Sequence, residues 1–206
     1  MSITKQEIKN LINNSAPVIF EIGCADGIDT LEFINTFNES SFKLFCFEPD
    51  PRNIEEFKKR VSDSRVFLHE IAIGDKDGLT TFNQSSTIYS SSLKNPNIEN
   101  IQKTWPMINF ENSFDVIVTT IDSFIKDNSI EIVDFIWADV QGAEDLMISG
   151  GKNSLIDKVR YMYTEYSNVE YYENEPSLNK IIELMGDNWE VVQVFAADVL
   201  LKNKNL

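Results

Sequence analysis

Residues 18–27 read VIFEIGCADG, and the fold follows from how that stretch is read. Val18, Ile19 and Phe20 suit a strand buried on both faces, Glu21 follows them, and Gly23, Ala25 and Gly27 make a tight turn of small residues. Glycine admits positive φ and lets a ligand approach main-chain N–H groups with no Cβ in the way. A helix is expected at once. Asp29 and Glu32 are spaced as a capping pair, and Leu31, Phe33, Ile34 and Phe37 recur at helical spacing. Roughly twenty residues past the turn, as in dinucleotide-type sites, a second strand from Lys43 to Phe47 ends in Glu48, an acid suited to accept hydrogen bonds from a ribose diol.

The turn reads E-x-G-x-A-x-G, not the G-x-G-x-x-G of a pyrophosphate loop, and no Lys-Ser/Thr pair follows as a phosphate loop needs. A loop led by an acid suits an ammonium group. S-adenosylmethionine carries an ammonium, a ribose and an adenine but no phosphate, so the turn argues for that cofactor over NAD or ATP.

Composition narrows the class further. A chain of 206 residues is expected to be one domain, 1–206, with a substantial core. With 42% hydrophobic and 25% charged residues and a formal net charge of -15, a soluble globular protein is expected. No apolar run approaches the ~20 residues of a membrane span. The N-terminal stretch, residues 1–15, reads as a short amphipathic helix carrying Ile3, Ile8, Leu11 and Ile12, without a signal-peptide core, so a cytoplasmic protein is expected. Cys24 and Cys46 fall in or beside the first two strands as buried thiols, with no disulfide expected in a reducing compartment. A sequence pI near 4.4 counts against a nucleic-acid partner, because such binding is driven by Lys and Arg contacts to phosphate.

Further along, Asp50 and Pro51 read as N-cap and first residue of a helix whose buried face is Ile54, Phe57 and Val61. Val66 to His69 reads as a third strand, and the IAIGDKDG that follows, with a turn over 75–78, is expected near the adenine. From Leu79 to Ser113 the sequence turns polar and rich in Ser and Asn, with scattered Tyr89, Trp105 and Phe110. It reads as an insertion covering the substrate side of the pocket, mobile until acceptor binds. Val116 to Thr119 reads as a strand, 121–126 as a short helix, and Ile132 to Ala138 as an apolar strand ending at Asp139. DVQGAEDLMISGG then turns at Gly142 into a helix with Leu146 and Met147 inward, ended by Gly150 and Gly151. Val159 to Glu165 is a strand, Pro176 to Met185 a helix with Leu178, Ile181, Ile182 and Met185 inward, and Trp189–Phe195 with Asp198–Lys202 a terminal antiparallel hairpin. Alternation at this spacing predicts an α/β fold of about seven strands, mostly parallel, with right-handed crossovers.

In chain order, FEIGCADGID (20–29), CFEPDP (46–51), LHEIAIGDKDG (68–78), SSSL (90–93), TTIDSF (119–124), VDFIWADVQGAED (133–145) and DVLL (198–201) make the sequence resemble a methyltransferase of the FkbM type, from about Val18 to Lys202. The resemblance implies a Rossmann-like, seven-stranded class I methyltransferase sheet, mostly parallel with a C-terminal antiparallel hairpin and helices on both faces. It implies S-adenosylmethionine dependence and, in most members, O-methylation of sugar hydroxyls in glycans and glycolipids or of hydroxyls on secondary metabolites. It also implies the cofactor contacts. Glu21, Gly23, Ala25 and Gly27, with Cys24 and Asp26 between them, would hold the methionine part, Glu48 and Pro49 the ribose side, and Ile71 and Ala72 the adenine edge, with Asp139 and Gln141 completing the set. The chain departs from the family's Asp-x-Glu-Gly after the fourth strand, because Asp139 and Val140 are followed by Gln141 and Gly142. Gln141 is therefore read as a cofactor- or substrate-contacting amide.

Methyl transfer to a sugar hydroxyl needs a base, and Asp139, Glu144, Glu165 and His69 are the candidates. Asp139 has the best position, at a strand's carboxyl end, and His69 has the best intrinsic pKa. No metal is expected, although Asp139 and Glu165 could offer oxygen ligands in a magnesium-assisted variant. Three rivals stand beside glycan O-methylation. These are methylation of a secondary-metabolite hydroxyl, a cofactor-binding protein without turnover, which Gln141 permits, and an NAD-linked oxidoreductase, which the glycine pattern disfavours.

Overall fold

The computed structural model describes residues 2–206. In chain order the elements are α1 (Lys5–Ile12), β1 (Val18–Ile22), α2 (Ile28–Thr36), β2 (Lys43–Phe47), α3 (Pro51–Arg60), β3 (Val66–His69), β4 (Ala72–Ile73), β5 (Gly78–Ser85), α4 (Ile98–Thr104), β6 (Phe110–Thr119), α5 (Ile121–Asp127), β7 (Val133–Ala138), α6 (Glu144–Gly150), α7 (Lys152–Asp157), β8 (Val159–Glu165), α8 (Leu178–Met185), β9 (Trp189–Val194) and β10 (Asp198–Asn203). Seven strands form one sheet in the order β3-β2-β1-β7-β8-β10-β9. The first five are mutually parallel, and β10 runs antiparallel to both β8 and β9.

The two-residue period of β1 sorts its side chains into two apolar layers. Phe20 and Ile22 join Phe47, Phe124, Ile136, Met147 and Met162 under α5 to α8, and Ile19 joins Phe33, Phe37, Leu44 and Phe135 under α1 to α3. Covered on both faces, β1 can be apolar throughout, which is why it shows no alternation in sequence. Its neighbours β2 and β7 lead to crossovers on opposite faces, so the switch point of the sheet lies at the carboxyl end of β1, where open α/β sheets bind ligands.

Helix starts differ in how they are made. Asp50 caps α3 by accepting from Arg52 N–H, with Pro51 at the first position, as expected. Asp29 and Glu32 do not cap α2. Gly27, at φ 82°, is the N-cap and makes no side-chain cap bond, and Asp29 lies inside the first turn, 3.0 Å from Lys5 Nζ. The turn of the glycine loop, closed by Gly27 N–H on Cys24 O, sets the N-cap two residues before Asp29.

The segment 79–113 also differs from its reading. Its two ends are strands: β5 pairs antiparallel with β6, which pairs parallel with β4, in a second sheet with a small core of Ala72, Phe82, Val116 and Val118. Val116 to Thr119 belongs to this sheet and not to the main one. Along β5 only Phe82 and Ser85 are buried, so little apolar periodicity marks it as a strand. Gly150 and Gly151 do not end the helical stretch either, because Gly151 both closes α6 and opens α7.

Candidate active site

At the switch point the glycine loop is tied to strands on both sides. Gly23 and Cys24 N–H groups donate to Phe47 O at 2.9 and 3.2 Å, and Asp139 N–H donates to Ile22 O at 2.9 Å. Gly23 sits at φ +84°, and a Cβ there would lie 1.8 Å from the Asp139 carbonyl oxygen. Only glycine allows the loop and the end of β7 to approach this closely.

Glu48 completes the loop. Its carboxylate accepts from Ala25 N–H at 3.0 Å and from Asp50 N–H at 2.7 Å, and it forms part of the crevice wall. Burial pushes its pKa up to about 7, against the pull of those N–H groups.

The crevice encloses about 620 Å³ open to solvent. Gly23, Ala25, Glu48 and Pro49 line one side, Ala72, Ile73 and Phe82 of the second sheet another, and Asp139 to Gln141 a third. Ile88, Tyr89, Ser91 and Leu93 cross above. That crossing segment is held to α3 by Asn53 Nδ2 on Ile88 O at 2.8 Å and by Arg52 on Thr87 O and Ser91 Oγ.

Several expected cofactor residues face elsewhere. Glu21 is fully buried on the α2 side of β1, where one oxygen accepts from Thr30 Oγ1 at 2.6 Å and from Cys46 Sγ at 3.4 Å while the other has no partner. Burial raises its pKa to about 7. Strand period points Glu21 the same way as Ile19, so it organises α2 and leaves the crevice to others. Cys24 lies in the same layer, its thiol pushed well up by burial. Gly27 packs against Phe57 and Val61, and Ile71 against the α5-side core. Asp26 stands at the rim, paired with Arg60 at 2.5 Å and accepting from the Tyr89 hydroxyl at 3.3 Å.

His69 is not placed as a base. Its ring lies 5.4 Å from Phe47 and 4.8 Å from Phe124, away from the crevice, and burial lowers its pKa. Strand register fixes this, since His69 is the β3 partner of Phe47.

The acids at the other wall do come together. Asp139 at the end of β7 meets Glu165 at the end of β8, and Asp198 opens β10 opposite Glu165. Burial raises both Asp139 and Glu165, and the neighbouring Asp139, Glu144 and Asp198 charges raise Glu165 further. Glu144, on the first turn of α6, is pushed up to about 8 by burial and then by Asp139 and Glu175, and one of its oxygens has no partner. Of these acids Asp139 alone lines the crevice.

Sequence reasoning missed Asn53, Tyr89, Ser92, Tyr172 and Asp198. Ser92 Oγ donates to Gln141 O at 2.7 Å, and the Tyr172 hydroxyl donates to Ser90 O at 2.7 Å. SSSL and DVLL carried a signal for Ser92 and Asp198, as motifs, and Tyr89 was named among the aromatics over the pocket without a role; Tyr172 comes from an irregular segment without periodicity.

The model described as the methyltransferase FkbM domain matches residues 21–191. The chain belongs to the FkbM methyltransferase family. A curated relative, "2-O-methyltransferase NoeI" of Sinorhizobium fredii (strain NBRC 101917 / NGR234), is 35% identical over 213 residues, covering 98% of this chain and 85% of that protein. Among solved structures, the FkbM methyltransferase of Methylobacillus flagellatus KT superposes with TM-score 0.55 at 13% identity over 91% of this chain, which spans 44% of that chain. A putative O-methyltransferase from Klebsiella pneumoniae gives TM-score 0.55 at 12% identity over 97% of this chain and 79% of its own. The fibrillarin of Aeropyrum pernix, solved with natively bound S-adenosyl-L-methionine, gives 0.50 at 13% over 96% and 74%. These likenesses show a shared class I fold, and the family makes the chain an S-adenosylmethionine-dependent methyltransferase.

The crevice of this FkbM protein suits that cofactor on its own chemistry. No Lys or Arg lines it, which leaves phosphates without a counter-charge. Phe82, Ile88 and Leu93 offer an apolar wall to a flat base.

Proposed function

We propose that this chain methylates a hydroxyl of a sugar in a glycan or glycoconjugate, with Asp139 as the general base, and that residues 1–206 act as one domain in which the second sheet walls the substrate side. The observation that carries the reading is Asp139. It is the carboxylate that lines the crevice at the β7 end, accepting a hydrogen bond from Gln141 Nε2. Support for an oxygen acceptor comes from the 2-O-methyltransferase name of the NoeI relative. The absence of basic side chains from the lining speaks for an uncharged sugar over a phosphate chain.

S-adenosylmethionine, when bound, supplies a methyl group on a sulfonium that is its own leaving group. The protein's part is alignment and proton removal. Glu48 receives the ribose hydroxyls, the Phe82 and Leu93 wall receives the adenine, and Tyr89 and Ile88 keep water out from above. Alignment of acceptor oxygen, methyl carbon and sulfur is worth ~7 to 11 kcal/mol of barrier. Asp139 takes the hydroxyl proton as the oxygen attacks. Glu144 and Glu165 shape the field around it from behind the wall.

The test is transfer of tritiated methyl from S-adenosylmethionine to a panel of neutral oligosaccharides and to RNA, with the methylated position located by NMR. Label on a sugar oxygen is expected. Label on RNA or on nitrogen would sink the proposal. In parallel, Glu48→Ala is expected to weaken S-adenosylhomocysteine binding in calorimetry while the protein stays folded. Unchanged affinity would remove Glu48 from the cofactor site.

A further inference from the structure

Gln141 sits at φ 51°, a left-handed conformation uncommon for a residue with a side chain. Bonds from other segments hold it there. Its carbonyl accepts from Ser92 Oγ at 2.7 Å, and its Nε2 donates to Asp139 Oδ1 at 2.6 Å. The carboxylate decides which end of the amide faces it, because only the NH₂ can donate. The Tyr172 hydroxyl, with one proton to give, has Ser90 O at 2.7 Å and Gln141 Oε1 at 3.3 Å in reach. The Tyr172 ring lies over Gly142, where a Cβ would come within 2.7 Å of it, so the turn and the ring fit only one way.

The titratable groups around Asp139 are nearly all acids. Glu165 faces it from β8, Asp198 from β10, Glu144 from α6, and Glu175 with Tyr172 from the segment 166–177. The cation on that side, Lys94, is paired with Asp145 at 2.7 Å. In such a setting the residue two places after Asp139 has a choice of consequences. A glutamate of the same length could bond Asp139 only by placing another proton between two carboxyl groups. The amide adds no charge and can only donate.

We propose that Gln141 is a positioning residue for methyl transfer: its amide, with the Gln141 carbonyl held by Ser92, donates to Asp139 Oδ1 and so favours the ionised carboxyl. This rests on the reading of Asp139 as the base. A donor to the ionised carboxyl lowers its pKa, and a further like charge raises it.

The experiment is a carbon-13 carboxyl NMR titration of the whole protein without cofactor, the Asp139 signal being the one lost in Asp139→Asn. Gln141→Glu is expected to move the Asp139 midpoint up by about one pH unit or more, and Gln141→Met, which removes the donor without adding charge, up by less. S-adenosylhomocysteine affinity should stay within about threefold, since the ribose and adenine contacts are elsewhere. If Gln141→Glu fails to fold, Gln141→Met carries the test, moving the midpoint up. A midpoint unmoved in the folded variants overturns the positioning role. On an oligosaccharide that the enzyme methylates, the acid limb of kcat should move with the midpoint, and a limb that stays put overturns the link to catalysis. The base reading itself fails only if Asp139→Asn keeps wild-type kcat, so the two failures are told apart.

Discussion

In Asp139→Asn, kcat is expected to fall by ~10² to 10⁴-fold, the range that loss of a general base produces, with cofactor affinity nearly unchanged. The amide keeps the shape of the carboxyl and can still accept from Gln141, whose Nε2 lies 2.6 Å away. What is lost is the charge that takes the acceptor's proton. With Glu165 and Glu144 holding their protons, the charge beside Asp139 is that of Asp198, and removing the Asp139 charge should leave the melting temperature close to wild type. A carboxylate that merely shapes the turn predicts the reverse, with a lower melting temperature, weaker cofactor binding and a chemical step close to wild type. Single-turnover rates at saturating cofactor and acceptor separate the two. A near-wild-type rate would remove Asp139 as the base, and His69, packed between Phe47 and Phe124, could not replace it.

The largest structural effect is expected from Gly23→Ala. The added methyl would sit 1.8 Å from a backbone oxygen of Asp139, which no rotamer change can relieve, on a residue at φ +84°. Left-handed backbone costs roughly 1 to 2 kcal/mol for a residue with a Cβ, and forced overpacking typically ~1 to 3 more. At about 2 to 4 °C per kcal/mol for a chain of this size, melting should drop by several degrees at least, and S-adenosylhomocysteine binding should be lost with it. Gly186→Ala is the control. Gly186 also has positive φ, at +69°, but nothing lies within 4 Å of its Cβ position, so only the backbone cost applies. Equal melting temperatures in the two variants would show that the close approach to β7 does not matter.

These two residues mark what could be read from the chain and what could not. The strand VIFEI, the glycine turn and the strand-end acids Glu48 and Asp139 were legible, because buried parallel strands write themselves as apolar runs and the turn chemistry is local. Which way an acid points depends on packing. Glu21 follows Ile19 toward α2 by the strand period, yet a motif reading sends it to the ligand. His69 looks like a base until its register beside Phe47 is known. Glu165 becomes the partner of Asp139 only once β7 and β8 are neighbours, and Tyr172 reaches Gln141 from a segment with no period to read. The polar stretch after Leu79 hides a second sheet because that sheet buries few apolar side chains.

The buried acids also set how many protons the molecule takes up as it folds. Glu21 and Glu48 are raised to about 7 and Glu144 to about 8, with Glu165 raised as well, against an ordinary value of 4.5 in the open chain. Between those values the native state binds more protons than the unfolded one, so stability is fullest below about 4.5 for these groups and falls as pH rises through 7 and 8. Melting temperatures should therefore decline from mildly acidic to alkaline buffer, and Glu21→Gln should flatten the slope; a flat wild-type profile would contradict the burial of these groups. The formal charge of -15 counts every carboxyl as ionised, and the folded protein, with acids closed inside still holding protons, is less anionic at neutral pH than its sequence declares.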